Sequence, residues 1–193
     1  MPRTKQFDEK EVLGKAVELF WTKGFHATSM QDLVTHLGIN RASLYDTFGS
    51  KEALFDMAFK HYRVTEGQKM QQLITKSTSV KAGFRALFEM AIAESVSDRN
   101  CKGCFVVNTT TELLPGDNKI HQMLKENKQN AQAVFTQRVQ EGIDSGELQT
   151  SKSAESIGLM LFTLYNGFRV LAKVEANPQQ LRQIMETGLS VLD

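Results

Sequence analysis

The sequence predicts an all-α chain in two parts, a three-helix N-terminal domain over residues 1–64 and a larger helical domain over residues 65–193. Three observations carry this reading. Apolar residues recur at intervals of three and four through long segments, with no alternation of the kind strands require. Only three prolines interrupt the 193 residues. Between residues 28 and 50, helix start and stop signals follow one another at short spacing. A hydrophobic content of 41% is ample for packed cores in a chain of this length.

The elements follow in order. Asp8 with Glu11 reads as a capping box opening a first helix, whose apolar face is Val12, Leu13, Ala16, Leu19 and Phe20 and whose end is Gly24 before Phe25. Ser29 with Asp32 repeats the box, and Met30, Leu33, Val34 and Leu37 give a second helix one apolar face. Gly38 supplies the left-handed stop, Ile39 turns back to the core, and Asn40 caps a third helix. In that helix Leu44 and Phe48 share the buried side, leaving Arg41, Ala42, Ser43, Tyr45, Asp46 and Thr47 outward. This outward face is polar and slim enough for the major groove of DNA, although the same spacing also fits an ordinary helical hairpin. Gly49 and Ser50 repeat the stop and start, and Leu54, Phe55, Ala58 and Tyr62 give the fourth helix its stripe.

Toward the C-terminus Ile157, Leu161, Leu164, Phe168 and Leu171 fall at intervals of three or four. After Pro178, Leu181, Ile184, Leu189 and Leu192 mark one more apolar helix. These stripes either meet a second copy of the chain or bury within it.

Composition excludes some classes. No run approaches the roughly 18 apolar residues of a membrane span, and MPRTKQFDEK lacks a signal-peptide core, so the expected location is the cytoplasm. The chain carries 23 basic and 22 acidic residues, and residues 1–63 alone carry nine and eight. Any positive surface must therefore come from placement, with Arg3, Lys5, Arg41 and Lys51 as the cations available to phosphates. The four histidines, His26, His36, His61 and His121, are scattered, so no metal site is expected and no cofactor is implied.

The ordered set Thr28, Gly38, Tyr45, Phe48 and Lys51 resembles the DNA-binding domain of TetR/AcrR family transcriptional regulators, and the resemblance covers about the first sixty residues. It implies a helix-turn-helix head in which Thr28, Tyr45 and Lys51 touch the DNA backbone while Arg41, Ala42, Ser43 and Thr47 sit nearer the bases. Asp46 departs from the aromatic or histidine common at that position in the family; it either accepts from a cytosine amine or pairs with Arg41. The resemblance further implies a homodimer on a palindromic double-stranded operator. Its interface would be built from the last two helices, with Leu161, Leu164, Phe168, Leu181 and Ile184 as contributors. Repression is the family's majority habit, and the expected release is by a small hydrophobic or thiol-reactive effector.

Phe84, Leu87, Phe88, Phe105, Met123, Phe135, Met160, Phe162 and Tyr165 are candidate liners of an effector pocket, or ordinary core. Both cysteines lie in Arg99-Asn100-Cys101-Lys102-Gly103-Cys104-Phe105, a CxxC spacing. Cys101 and Cys104 fit a regulatory thiol pair near a helix start and beside Arg99 and Lys102. Alternatively, Gly103, Cys104, Phe105 and Asn108 resemble a family segment in which the cysteine only packs. Asn108 and the threonines after it could add polar groups to a pocket or satisfy the backbone locally. An enzyme is not expected; the alternative class is a thiol-disulfide oxidoreductase using the cysteine pair, which lacks the βαβ setting such a site wants.

Overall fold

The computed structural model describes residues 7–98, 100–114, 116, 118–175 and 177–193. Arg3, Lys5 and Arg99 lie outside the described residues. Among the described residues the chain forms nine α-helices and a closing 3-10 turn, with no strand. It divides into two compact units, Met1–Thr65 and Glu66–Asp193.

In the first unit α1 (Glu9–Lys23) begins at Asp8, whose carboxylate accepts from the Lys10 amide at 2.8 Å. The expected partner half of that cap is not made, because Glu11 turns instead to Lys15, 2.7 Å away. The box on α2 (Met30–Leu37) is complete: the Asp32 amide donates to Ser29 Oγ at 3.1 Å and the Ser29 amide to Asp32 Oδ2 at 2.8 Å. Gly38 then adopts φ 68°, ψ 25°, where a β-carbon would cost about 1–2 kcal/mol. α3 (Arg41–Phe48) starts at Asn40, whose Oδ1 accepts from the Ser43 amide at 2.8 Å. α4 (Lys51–Thr75) follows a short break at Gly49 and Ser50. Its residues Leu54, Phe55, Ala58, Phe59 and Tyr62 are buried, as are Leu33, Leu37, Leu44 and Phe48. Edge-on aromatic contacts, Phe20 to Phe55 at 5.1 Å and Trp21 to Tyr62 at 5.1 Å, join α4 to α1.

The second unit holds the end of α4, then α5 (Val80–Ser97), α6 (Phe105–Leu113), α7 (Asn118–Asp144), α8 (Ala154–Leu171), α9 (Pro178–Leu189) and the turn Ser190–Leu192. α7 packs on α8 and α5 on α9. Their shared core contains Phe84, Leu87, Phe88, Phe135, Val139, Ile157, Leu161, Phe168, Leu181 and Met185. Arg85 with Glu186 at 2.6 Å and Arg182 with Glu89 at 2.8 Å bridge α5 and α9 from the surface, where such pairs contribute at most about 1 kcal/mol each and chiefly hold register.

This core corrects the assignment of Leu161, Phe168 and Leu181 to a dimer surface. Leu161, Phe168 and Leu181 are buried inside the chain's own core, and Leu164 and Ile184 are half-buried against it. Periodicity identifies apolar faces; Leu161, Phe168 and Leu181 serve the chain's own core, while Leu164 and Ile184 keep part of their surface and Leu171 is exposed. The apolar residues that α8 does leave exposed are Leu159, Met160, Val170 and Leu171.

Candidate nucleic-acid interface and effector region

The short α3 presents the outward face that its spacing predicts. Leu44 and Phe48 are buried, Arg41, Ala42, Tyr45 and Asp46 are exposed, and Ser43 and Thr47 are half-buried. Tyr45 keeps 40% of its surface exposed, unusual for a large aromatic with no partner ring. The Arg41 guanidinium lies 5.8 Å from its ring centroid, a cation–π arrangement that aims both side chains from the same helix face. Asp46 makes no ion pair with Arg41 among the described residues, so its carboxylate stands unneutralised on the outward side. The tyrosine ring one turn away from Arg41 takes the place an aspartate was expected to hold.

Lys51 stands at the start of α4 with its ammonium 4.4 Å from the centroid of Phe25. That ring is itself held edge-on by Phe55 at 5.0 Å, so the cation rests on a rigid aromatic platform beside a helix N-terminus. A cation at a helix N-terminus suits an anionic oxygen. Thr28 behaves otherwise. Its side chain is 1% exposed and its hydroxyl donates to the Gly24 carbonyl at 2.5 Å. As folded, Thr28 closes the α1–α2 turn and offers no donor to a phosphate, which corrects the role the resemblance implied.

Sequence reading missed the brace behind this face. Lys23, at the end of α1, reaches the Asp32 carboxylate at 2.6 Å, and the Ser29 hydroxyl donates to the same oxygen at 2.6 Å. These bonds, the one to Lys23 foremost, hold the Asp32 carboxyl well below the usual carboxylate range. Nothing periodic links residues nine apart, so only the folded turn brings them together. A depressed acid stabilises the fold above its ordinary value near 3.8 and loses that contribution as pH falls toward its lowered folded value. Lys23→Met should therefore move acid unfolding of the first unit to higher pH, read by fluorescence of Trp21; an unchanged midpoint would remove the brace from the account.

In the second unit the predicted pocket liners pack on one another. Phe84 meets Phe135 at 5.1 Å, Phe135 meets Phe162 at 5.8 Å, and Phe88 meets Tyr165 at 5.4 Å and Phe168 at 5.0 Å. Phe84, Leu87, Phe88, Phe105 and Phe135 are fully buried, whereas Met160 is exposed. Phe84, Leu87, Phe88 and Phe135 form closely packed core with Phe162 and Tyr165 against it, the bland alternative for aromatics at helical spacing. An open groove of about 910 Å³ lies elsewhere, along α7 and the start of α8, lined by Gln132, Thr136, Gln140, Asp144, Ser153 and Glu155 among others. None of the predicted liners borders it.

The cysteine loop is pinned from three helices. Asp98 accepts from the amides of Asn100 and Lys102, the Asn108 side-chain amide donates to the Lys102 carbonyl at 2.8 Å, and Arg169 donates to the Gly103 carbonyl at 3.0 Å. Lys173 donates to Asn108 Oδ1 at 3.2 Å. Gly103, at φ 66°, passes so close to Lys173 that a β-carbon would lie 2.5 Å from its Cδ. Cys101 is exposed at φ 50°, a left-handed conformation strained for any residue with a β-carbon; Cys104 is half-buried at the N-cap of α6 and makes no capping hydrogen bond. Both thiols are free. Among the described residues no group of three or more His, Cys, Asp or Glu could hold a metal ion, and no helix is long and apolar enough to cross a membrane.

Comparison with known proteins agrees with this architecture. The model of bacterial regulatory proteins of the tetR family matches residues 12–58, and that of the tetracyclin repressor-like C-terminal domain matches residues 81–187. The chain is 31% identical to the uncharacterized HTH-type transcriptional regulator YezE of Bacillus subtilis, over 100% of both chains. It is 30% identical to the HTH-type transcriptional repressor ComR of Escherichia coli, over 97% of this chain and 90% of ComR. Among solved structures it superposes on a cysteine mutant of the TetR family transcriptional regulator CifR, complexed with 26bp double-strand operator DNA. That match has a TM-score of 0.88 and 27% identity over 99% of this chain and 100% of that one. These relatives are regulators, and the comparisons do not favour a thiol oxidoreductase. With both of its units matched and its relatives spanning the whole chain, this protein is a DNA-binding transcriptional regulator that belongs to the tetR family.

Proposed function

We propose that the protein is a homodimeric repressor of a palindromic operator, released by a small hydrophobic or thiol-reactive effector acting on the second unit. The observation that carries this is the two-sided α3, with Leu44 and Phe48 anchoring it and Arg41, Ala42 and Tyr45 turned outward. Arg41 reads a guanine edge, Ala42 packs on a base methyl, Ser43 and Thr47 supply hydroxyls at the rim, and Tyr45 and Lys51 hold the backbone. A single head covers few base pairs, so two heads related by symmetry would read half-sites about one helical turn, roughly 34 Å, or more apart. The test is fluorescence anisotropy on duplexes tiled across the upstream DNA of the protein's own coding region. Specific binding to one palindromic tile supports the reading, and binding that ignores both sequence and symmetry sinks it.

The outward side of α8 is the proposed dimer surface. Leu159, Thr163, Gly167 and Val170 fall at spacings of four, four and three on its exposed side, with small residues in the middle where a partner helix would cross closely. Val170→Glu is expected to convert a sedimenting dimer to monomer and to weaken operator binding in parallel. A V170E variant that stays dimeric would move the interface off this stripe.

The effector acts by differential affinity for two arrangements of the heads, and coupling of about 1–3 kcal/mol is typical. Phe84, Phe88, Phe135 and Tyr165 form the inner wall that such a ligand would meet after rearrangement, and Phe105 and Asn108 on α6 are the further candidates. A thiol route is favoured by one observation, the exposed Cys101 in strained backbone on a loop tied to α5, α6 and α8. Cys101→Ser should keep operator affinity but blunt release by diamide or a quinone; release that is unchanged would leave Cys101 a loop residue and shift attention to Cys104.

A further inference from the structure

Asp46 is the residue of α3 that points most directly away from the core. It lies two residues after Leu44 and two before Phe48, so at about 100° per residue its side chain leaves the helix roughly 160° from each of these buried anchors. Ala42, one turn earlier, shares its line along the helix. Arg41 and Tyr45 stand together on one flank, joined by their 5.8 Å cation–π contact. Among the described residues no hydrogen bond or ion pair engages the Asp46 carboxylate, and the last turn of α3 holds no basic residue.

The fold gains nothing from an acid at this position. Asp46 sits in the last turn of an eight-residue helix, where a carboxylate opposes the negative end of the helix dipole, and aspartate is among the weaker helix formers. On a face that enters the major groove the same carboxylate is costlier still. Phosphates wall the groove, and guanine O6 and N7, adenine N7 and thymine O4 present further lone pairs. Cytosine differs, because its N4 amine donates and borders a C–H on that edge, whereas the amine of adenine borders the N7 acceptor.

We propose that Asp46 is a specificity-determining residue that accepts a hydrogen bond from N4 of one cytosine in each half-site and repels the other bases at that position. Ala42 carries no atom beyond Cβ, which lets the helix approach closely enough for a short aspartate to reach a base edge. Discrimination here comes from the penalty on wrong bases as much as from the bond to the right one. Arg41 seeks acceptors from the flank of α3 and Asp46 a donor from its crest, so the two read different base pairs. This rests on the reading of α3 as the helix that enters the groove, and it names the base at one position of the operator.

The test is selection from a pool of random-sequence duplexes by the full chain, unaltered and as Asp46→Asn and Asp46→Ala, followed by anisotropy on the selected duplexes with each base pair exchanged in turn. The unaltered protein should select cytosine at one position of each half-site, and thymine there should weaken binding about tenfold or more. Asp46→Asn should lose cytosine and gain adenine at that position, because an asparagine amide meets adenine N7 and N6 with a donor and an acceptor; the other positions should stay as they were. Asp46→Ala should abolish the preference and raise affinity for random-sequence DNA about twofold or more, since one negative charge leaves the groove. Neither change should lower the melting temperature of the first unit. A consensus identical in all three proteins overturns the proposal, as does a loss of thermal stability with no change in consensus; in both cases specific DNA binding, and the reading it rests on, survives. A folded, unaltered protein that selects no consensus removes that reading and the role of Asp46 with it.

Discussion

Replacing Arg41 and Tyr45 together by alanine is expected to weaken specific operator binding by about a hundredfold or more while leaving the fold unchanged, if each side chain supplies the roughly 1–3 kcal/mol usual for a good contact. Both residues are exposed on α3, and neither contributes to the core formed by Leu44 and Phe48. The separate changes should differ in kind. Arg41→Ala should relax discrimination at one base position. Tyr45→Ala should weaken all sequences alike. Lys51→Ala should do the same and reduce the salt slope by about one phosphate contact. The two residues touch through the 5.8 Å cation–π contact, so the double change should depart from the sum of the single ones. Anisotropy across a salt series with circular dichroism as a fold control measures all of this; unaltered affinity in the double variant would place the reading head elsewhere.

Phe135→Ala should destabilise the second unit by about 3–5 kcal/mol, the range for a buried aromatic cut to alanine in a core that cannot collapse. Phe135 is fully buried and touches Phe84, Phe162 and Tyr165, which come from α5 and α8, so its loss opens a cavity where three helices meet. Calorimetry should show a drop of about 10 °C or more in the transition of the second unit, with the first unit's melting unchanged. Phe135→Leu should cost much less, because most of the volume is kept. A small effect of alanine would mean that the ring lines free space instead of packed core, and would favour a preformed ligand cavity at that point.

Short capped helices were legible because their signals are local: Ser29 with Asp32, Gly38 and Asn40 each act on backbone groups within four residues, and the structure places all four at helix ends. The buried and outward sides of α3 were legible for the same reason, since a 3.6-residue period assigns them without reference to any partner. Family membership followed from that ordered set, and the comparisons bear it out.

What the sequence by itself determined is the helical class, the head and the division of α3. Only the tertiary structure decided which apolar stripe faces inward, because Leu161, Leu164 and Phe168 read the same whether a helix buries them against its own chain or a second copy. It also decided that Thr28 closes a turn, that Arg41 lies over Tyr45 rather than beside Asp46, and that Glu94 meets Arg169 across 75 residues. Such contacts have no period and no local signature, since they depend on distances between side chains that only helix packing sets.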